Sequence, residues 1–254
     1  MIELIAEKLR VKIFDTREEM GEYAASEAEA FLRSLLETKE ELNCVFAAAP
    51  SQDDILASLV KKDICWERIN AYHMDEYVGL KKEDSESFGN YLYQHIFSQV
   101  PFKSVNYIAA DSSWTAEQIC NEYSKKLSGV KIDAVFMGIG ENGHIAFNDP
   151  QVADFNDPQI VKIVDLDDIC RMQQVHDGCF PTINDVPKQA ISLTIPTMMS
   201  AGRLFNVVPT SFKAKAVRDT IYGKLSEECP ATICRTHPDA TLYLDKNSAE
   251  LILK

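Results

Sequence analysis

Hydrophobic positions in this chain gather into short dense runs separated by longer segments of helical spacing. Five runs rich in β-forming residues, at 44–49, 69–73, 132–137, 204–208 and 241–244, have the continuous apolar character of strands buried on both faces. The segment 17–36 sets Met20, Ala24, Phe31 and Leu35 near one helical face. Thr115, followed three residues later by Gln118, has capping-box spacing ahead of Ile119, Tyr123 and Leu127. Strands alternating with helices favour an α/β fold: a mainly parallel, doubly wound, Rossmann-like sheet with helices on both faces. No repeat, low-complexity tract or long Pro/Gly linker interrupts the pattern, so one domain over 1–254 is expected. The stretch 150–187 is polar and weakly periodic, and reads as a lid or irregular insertion.

Composition narrows the partners. With 254 residues and 46% hydrophobic content, the chain can bury a large core. Its 26 basic and 39 acidic residues leave a net charge of −13, which repels nucleic acid and anionic membranes at long range. An anionic ligand therefore requires a local cluster of donors. The first ten residues carry charge throughout, and no run approaches the roughly 18 apolar residues of a membrane span, so a cytoplasmic location is expected. The seven cysteines are odd in number, scattered and never in a Cys-x-x-Cys pair, which suggests reduced thiols and neither a disulfide framework nor a zinc site.

Three loops after expected strands carry more chemistry than connectors need, and in open α/β sheets such loops converge on one crevice. The first is Pro50-Ser51-Gln52-Asp53-Asp54. Ser51 there is either the N-cap of a helix starting near Asp54 or an anion ligand at that helix start. The second is His73-Met74-Asp75-Glu76-Tyr77, where repulsion between adjacent carboxylates raises one pKa towards neutrality; the alternative is a solvated acidic turn. The third runs from Gly138 to Pro150. Its glycines, including Gly140, allow tight turns and close backbone approach to a ligand. His144 is a candidate acid/base group, histidine being the side-chain type that changes charge most readily near neutrality, with Asn142 or Asp149 to orient it. The alternative is a glycine turn with a structural histidine. The Gly138-x-Gly140-x-x-Gly143 spacing is a poor dinucleotide fingerprint, because His144 and Phe147 follow instead of a clear helix.

The runs Met74-Asp75-Glu76-Tyr77-Val78-Gly79-Leu80, Glu86-Ser87-Phe88 and Gly140-Glu141-Asn142-Gly143-His144-Ile145-Ala146-Phe147-Asn148 together resemble the glucosamine-6-phosphate deaminase/isomerase family, which shares its fold with 6-phosphogluconolactonase. The likeness continues in order through Asp185-Val186-Pro187-Lys188, Ser211-Phe212-Lys213 and His237-Pro238, covering nearly the whole chain. The resemblance implies a phosphorylated sugar substrate and no metal or organic cofactor; homo-oligomerisation is left open. It implies that Asp75 shuttles a proton between C2 and C1, and that His144, held by Asn142 and Asp149, assists ring opening. Ser51, Gln52, Glu76, Gly140, His176 and Lys213 would then bind substrate.

Four departures stand out. Asp149 replaces the family's usual Glu, and the shorter side chain is expected to draw the carboxylate away from His144. Asp53 and Asp54 stand in a loop that is typically Thr-Gly-Ser/Gly-Thr-Pro in the family. His176 takes the place of a phosphate-binding arginine, with Arg171 nearby in sequence. The family's allosteric tail has no evident counterpart. These changes bear on recognition more than on proton transfer, so galactosamine 6-phosphate is as open a substrate as glucosamine 6-phosphate. A lactonase-like hydrolase and a non-catalytic sugar-phosphate sensor are the competing readings.

Overall fold

A computed structural model describes residues 1–108 and 113–253. All five apolar runs become strands: Leu42–Phe46 (β3), Ile69–His73 (β4), Ala134–Met137 (β7), Arg203–Val208 (β10) and Ala240–Asp245 (β11). They are apolar throughout because alternate residues enter different cores. Cys44, Phe46, Ala134, Phe136 and Phe205 pack on one face, and Val45, Val135, Met137 and Leu204 on the other. Aromatic rings of Phe46, Phe136, Phe205 and Tyr243 stack across the four neighbouring strands, with centroids 5.0, 5.0 and 6.3 Å apart.

The main sheet also contains Ile2–Ala6 (β1), Leu9–Phe14 (β2) and Ser104–Asn106 (β6), in the order β1-β2-β11-β10-β7-β3-β4-β6. Among the described residues of this sheet only the β1–β2 hairpin is antiparallel; every other pairing is parallel. The first face is covered by Arg17–Leu36 (α1), with the bounds expected from its spacing, and by Asp53–Leu59 (α2). Ala116–Leu127 (α4) and Ala214–Tyr222 (α7) pack on the second face, and Thr115 and Gln118 form the expected capping box.

Three expectations change. The run at 44–49 is a strand only to Phe46; Ala47, Ala48 and Ala49 continue as small residues lining a crevice. Ser51 caps no helix, since a 3₁₀ turn at Pro50–Gln52 leads into α2 and neither element has a side-chain cap. The stretch 150–187 is not irregular throughout: it supplies Val161–Asp165 (β8) and Asp168–His176 (α5). With Asp75–Tyr77 (β5) and Gln189–Leu193 (β9), β8 forms a separate antiparallel sheet in the order β5-β9-β8. Two further short α-helices among the described residues are Phe88–Leu92 (α3) and Ile195–Met199 (α6).

Candidate active site

Strands β3, β4 and β6 advance to one side of the main sheet, and β7, β10 and β11 return on the other. The order reverses between β3 and β7, where a doubly wound sheet leaves a crevice beyond its strand ends. The crevice found there holds about 480 Å³ of space when its open mouth is included. Its walls include Ser51 after β3, Asp75 after β4, Gly138, Gly140 and His144 after β7, and Lys213 after β10. The three loops singled out in the sequence do converge.

Asp75 is held by its neighbours in chain and space. His73 Nδ1 lies 3.0 Å from the Asp75 carbonyl, and His73 Nε2 accepts the Ile108 amide at 2.8 Å, so Nδ1 carries the proton and the ring is neutral. Burial holds the His73 pKa down, to about 4. The β5 strand pairs Asp75 with Ser192 and turns successive side chains to opposite faces. Asp75 therefore lines the crevice, 7% exposed, while Glu76 lies behind it and accepts amide hydrogens from Tyr77, Phe88 and Gly89 at 3.0, 3.1 and 2.9 Å. Burial raises the Asp75 pKa well above the usual carboxylate value, and the charge of Glu76 adds to it. Desolvation is thus the larger cause, ahead of the carboxylate repulsion expected from sequence. Glu76 is an anchor for the start of α3 and does not line the crevice.

His144 stacks against the backbone at Gly140 so closely that a Cβ there would fall 2.2 Å from its ring. Gly143, at φ +86°, makes the turn that brings the ring back. His144 Nδ1 lies 2.8 Å from Asp149 Oδ1, off the axis of a straight N–H···O bond. The shorter carboxylate has therefore not withdrawn, contrary to the expectation drawn from chain length. Asn142 explains part of this: its Nδ2 donates to Asp149 Oδ1 at 3.0 Å and to Asp167 Oδ2 at 3.1 Å, and its Oδ1 accepts the His144 amide at 3.0 Å. Burial opposes the charge on Asp149, but His144, Asn142 and the Asp167 amide outweigh it and hold the pKa below its usual value. Asp167, unassigned from sequence, also caps α5 by accepting the Cys170 amide at 2.6 Å. Its N-cap position before α5 was the available signal.

The far end of the crevice is built around Lys213. The side chain is 4% exposed, and Nζ has no hydrogen-bond partner among the described residues. Burial lowers its pKa, against attraction from Asp177 and Glu141. Thr210, three residues earlier, has φ +78°, an unusual conformation for a β-branched residue. Ser51 Oγ accepts from Gln52 Nε2 at 3.1 Å, which leaves its own hydrogen free for a ligand. Gln52 stands behind the wall, its Nε2 also donating to the Val207 carbonyl at 3.1 Å.

The other departures have structural answers. Asp54 pairs with Arg17 at 2.5 Å, and Asp53 is bound by the Tyr91 hydroxyl, so neither carboxylate lines the crevice. Arg171 braces the backbone of Ile183 and Val186. His176 does not line the crevice: it lies 3.1 Å from Glu141 Oε1 and stacks on Phe212, while Gln173 and Gln174 of α5 line the crevice in its place.

A family model described as glucosamine-6-phosphate isomerases/6-phosphogluconolactonase matches residues 15–243. The chain belongs to this family. Glucosamine-6-phosphate deaminases of Bacillus cereus (strain B4264) and Bacillus thuringiensis (strain Al Hakam) are each 32% identical over 243 residues, 96% of this chain and 89% of theirs. A solved structure of a monomeric glucosamine-6-phosphate deaminase matches with a TM-score of 0.85 and 26% identity, over 95% of this chain and 99% of that one. The 6-phosphogluconolactonase of Thermotoga maritima shares the fold, with a TM-score of 0.76 and 17% identity over 93% and 99% of the two chains.

Proposed function

We propose that the protein is an amino-sugar-phosphate deaminase/isomerase, converting glucosamine or galactosamine 6-phosphate to ketose 6-phosphate and ammonia. The observation that carries this reading is one crevice holding a buried carboxylate, Asp75, a histidine backed by a carboxylate, and an unpartnered ammonium, Lys213. Lys213 and the Ser51 hydroxyl suit a phosphate, because a desolvated cation is stabilised by an anion arriving with the ligand. At the other end, His144 moves a proton from O1 to O5 to open the ring, with Asp149 stabilising the imidazolium that forms in passing. Asp75 then takes the C2 proton and returns it at C1. Water adds at C2, and ammonia leaves.

A raised Asp75 pKa suits this shuttle, since a base must also give its proton back. Lactone hydrolysis needs His144 to activate water and has no comparable use for a buried acid at Asp75. The printed names of the 32%-identical relatives favour the deaminase reading as well. The seven cysteines are all free, in keeping with a cytoplasmic enzyme. The test is ammonia release with ketose phosphate formation across a panel of 6-phosphorylated hexosamines. Turnover of at least one member, lost in Asp75→Asn, supports the reading; inert behaviour towards the whole panel rejects it. Ligand-induced thermal stabilisation without product would favour the sensor reading instead.

A further inference from the structure

Cys170, on the first turn of α5, reaches the back of the proton relay. One ring nitrogen of His144, a carboxylate oxygen of Asp149 and Cys170 Sγ all lie within 4.8 Å of one another, and all three residues are buried. No metal pattern is legible in the linear order here, because the donors come from two segments separated by β8. Imidazole, carboxylate and thiolate are the ligand types that zinc takes in tetrahedral sites. With bonds of about 2.0–2.3 Å, such a site spaces its ligand atoms by roughly 3.4–3.6 Å. His144 Nδ1 and Asp149 Oδ1, now 2.8 Å apart, would part by about 0.6–0.8 Å to reach that spacing, and a pair at the 4.8 Å limit would close by about 1.2 Å. Nδ1 is buried and not locked by an aligned hydrogen bond, and His144 itself lines the crevice, the side from which an ion would approach.

We propose that His144 Nδ1, Asp149 and Cys170 form a binding site for one thiophilic divalent cation, zinc or cadmium, and that occupancy switches the proton relay off. The chemistry of the imidazole explains the switch. With Asp149 beside Nδ1, the proton sits on Nδ1 and the Nε2 lone pair is free to accept one from substrate. A cation on Nδ1 needs that lone pair for itself, so the ring proton moves to Nε2. The histidine can then donate but not accept. Binding also converts the Cys170 thiol to thiolate, so one proton is released to solvent for each ion bound, with no change in oxidation state.

The ion-binding part is independent of the deaminase reading and has its own readout. Cadmium titrated into the full-length protein should produce the ultraviolet charge-transfer band of a cadmium–thiolate bond, and Cys170→Ser should lose the component that saturates at one ion. Zinc inhibition, expressed against each variant's own metal-free rate, should weaken at least about tenfold in Cys170→Ser, while magnesium inhibits neither protein. Should the serine variant fold poorly, Asp149→Asn and Cys170→Ala give the same comparison. The proposal is overturned if wild type shows no saturable one-ion band, or if band and inhibition persist unchanged when Cys170 is replaced. A protein that binds cadmium through Cys170 yet turns over no hexosamine phosphate would reject the deaminase reading and leave the site standing.

Discussion

Replacing Lys213 by Met separates a binding lysine from a structural one. Met keeps much of the apolar stem and removes a charge that is 4% exposed and has no hydrogen-bond partner among the described residues. Leaving such a group unsatisfied costs the folded protein about 1–3 kcal/mol, part of which Asp177 and Glu141 return by attraction. The ligand-free variant should therefore be as stable as wild type or up to about 2 kcal/mol more stable, a rise in Tm of at most a few degrees for a chain of this size. Ligand binding should move the other way. A hydrogen bond from an ammonium to an anion contributes about 1.5–3 kcal/mol, so KM for the sugar phosphate should rise roughly 10- to 150-fold. Thermal melts with and without inorganic phosphate supply a measure free of catalysis. Phosphate at a hundred times its Kd should stabilise wild type by about 2.7 kcal/mol and the variant hardly at all. A variant destabilised by more than about 1 kcal/mol that still responds fully to phosphate would refute the assignment and make Lys213 a structural residue.

Other expectations concern the proton-transfer end. Asp75→Asn should lower turnover by about 10²- to 10⁴-fold while keeping the melting temperature, because burial already disfavours the charge it removes; thermal melts and ammonia release read both. Gly140→Ala places a Cβ 2.2 Å from the His144 ring, and a displacement of about 1 Å should cost on the order of 100-fold in rate with the fold intact by circular dichroism. Glu76 has its pKa pushed up to about 7 by burial, against 4.5 for the ordinary group. Its contribution to stability is whole below 4.5 and is lost as pH rises through 7, by on the order of 3 kcal/mol. Denaturant midpoints from pH 5 to pH 8 should thus fall more steeply for wild type than for Glu76→Gln.

The central strands were legible because burial on both faces leaves unbroken apolar runs; β4 at Ile69–His73 has the bounds its run suggested. The β1–β2 hairpin was not, since Glu3, Lys8, Arg10 and Lys12 give the chain's start a charged look that hides the alternation of Leu9, Val11 and Ile13 into the core. Within 150–187, β8 pairs with β9 alone among the described residues and α5 is short, so neither leaves a strong periodic mark. The same contrast holds in the crevice. Asp75, Asn142, His144 and Asp149 sit in two compact motifs and meet as expected. Gln173, Gln174 and Cys170 come from α5, where sequence favoured His176 at the substrate. Tertiary packing decides which face of that helix looks inward, and the linear pattern of a nine-residue helix does not record it.

In the proposed reaction Asp75 breaks the C2–H bond of an amino-sugar phosphate. The most direct measurement follows a deuterium label at C2 of whichever hexosamine 6-phosphate the panel selects. Wild type should move the label to C1 of the ketose or lose it to solvent as ammonia appears, and Asp75→Asn should leave it on C2 of unreacted substrate. Ammonia released with the label still on C2, or label transfer undiminished in Asp75→Asn, would contradict the mechanism.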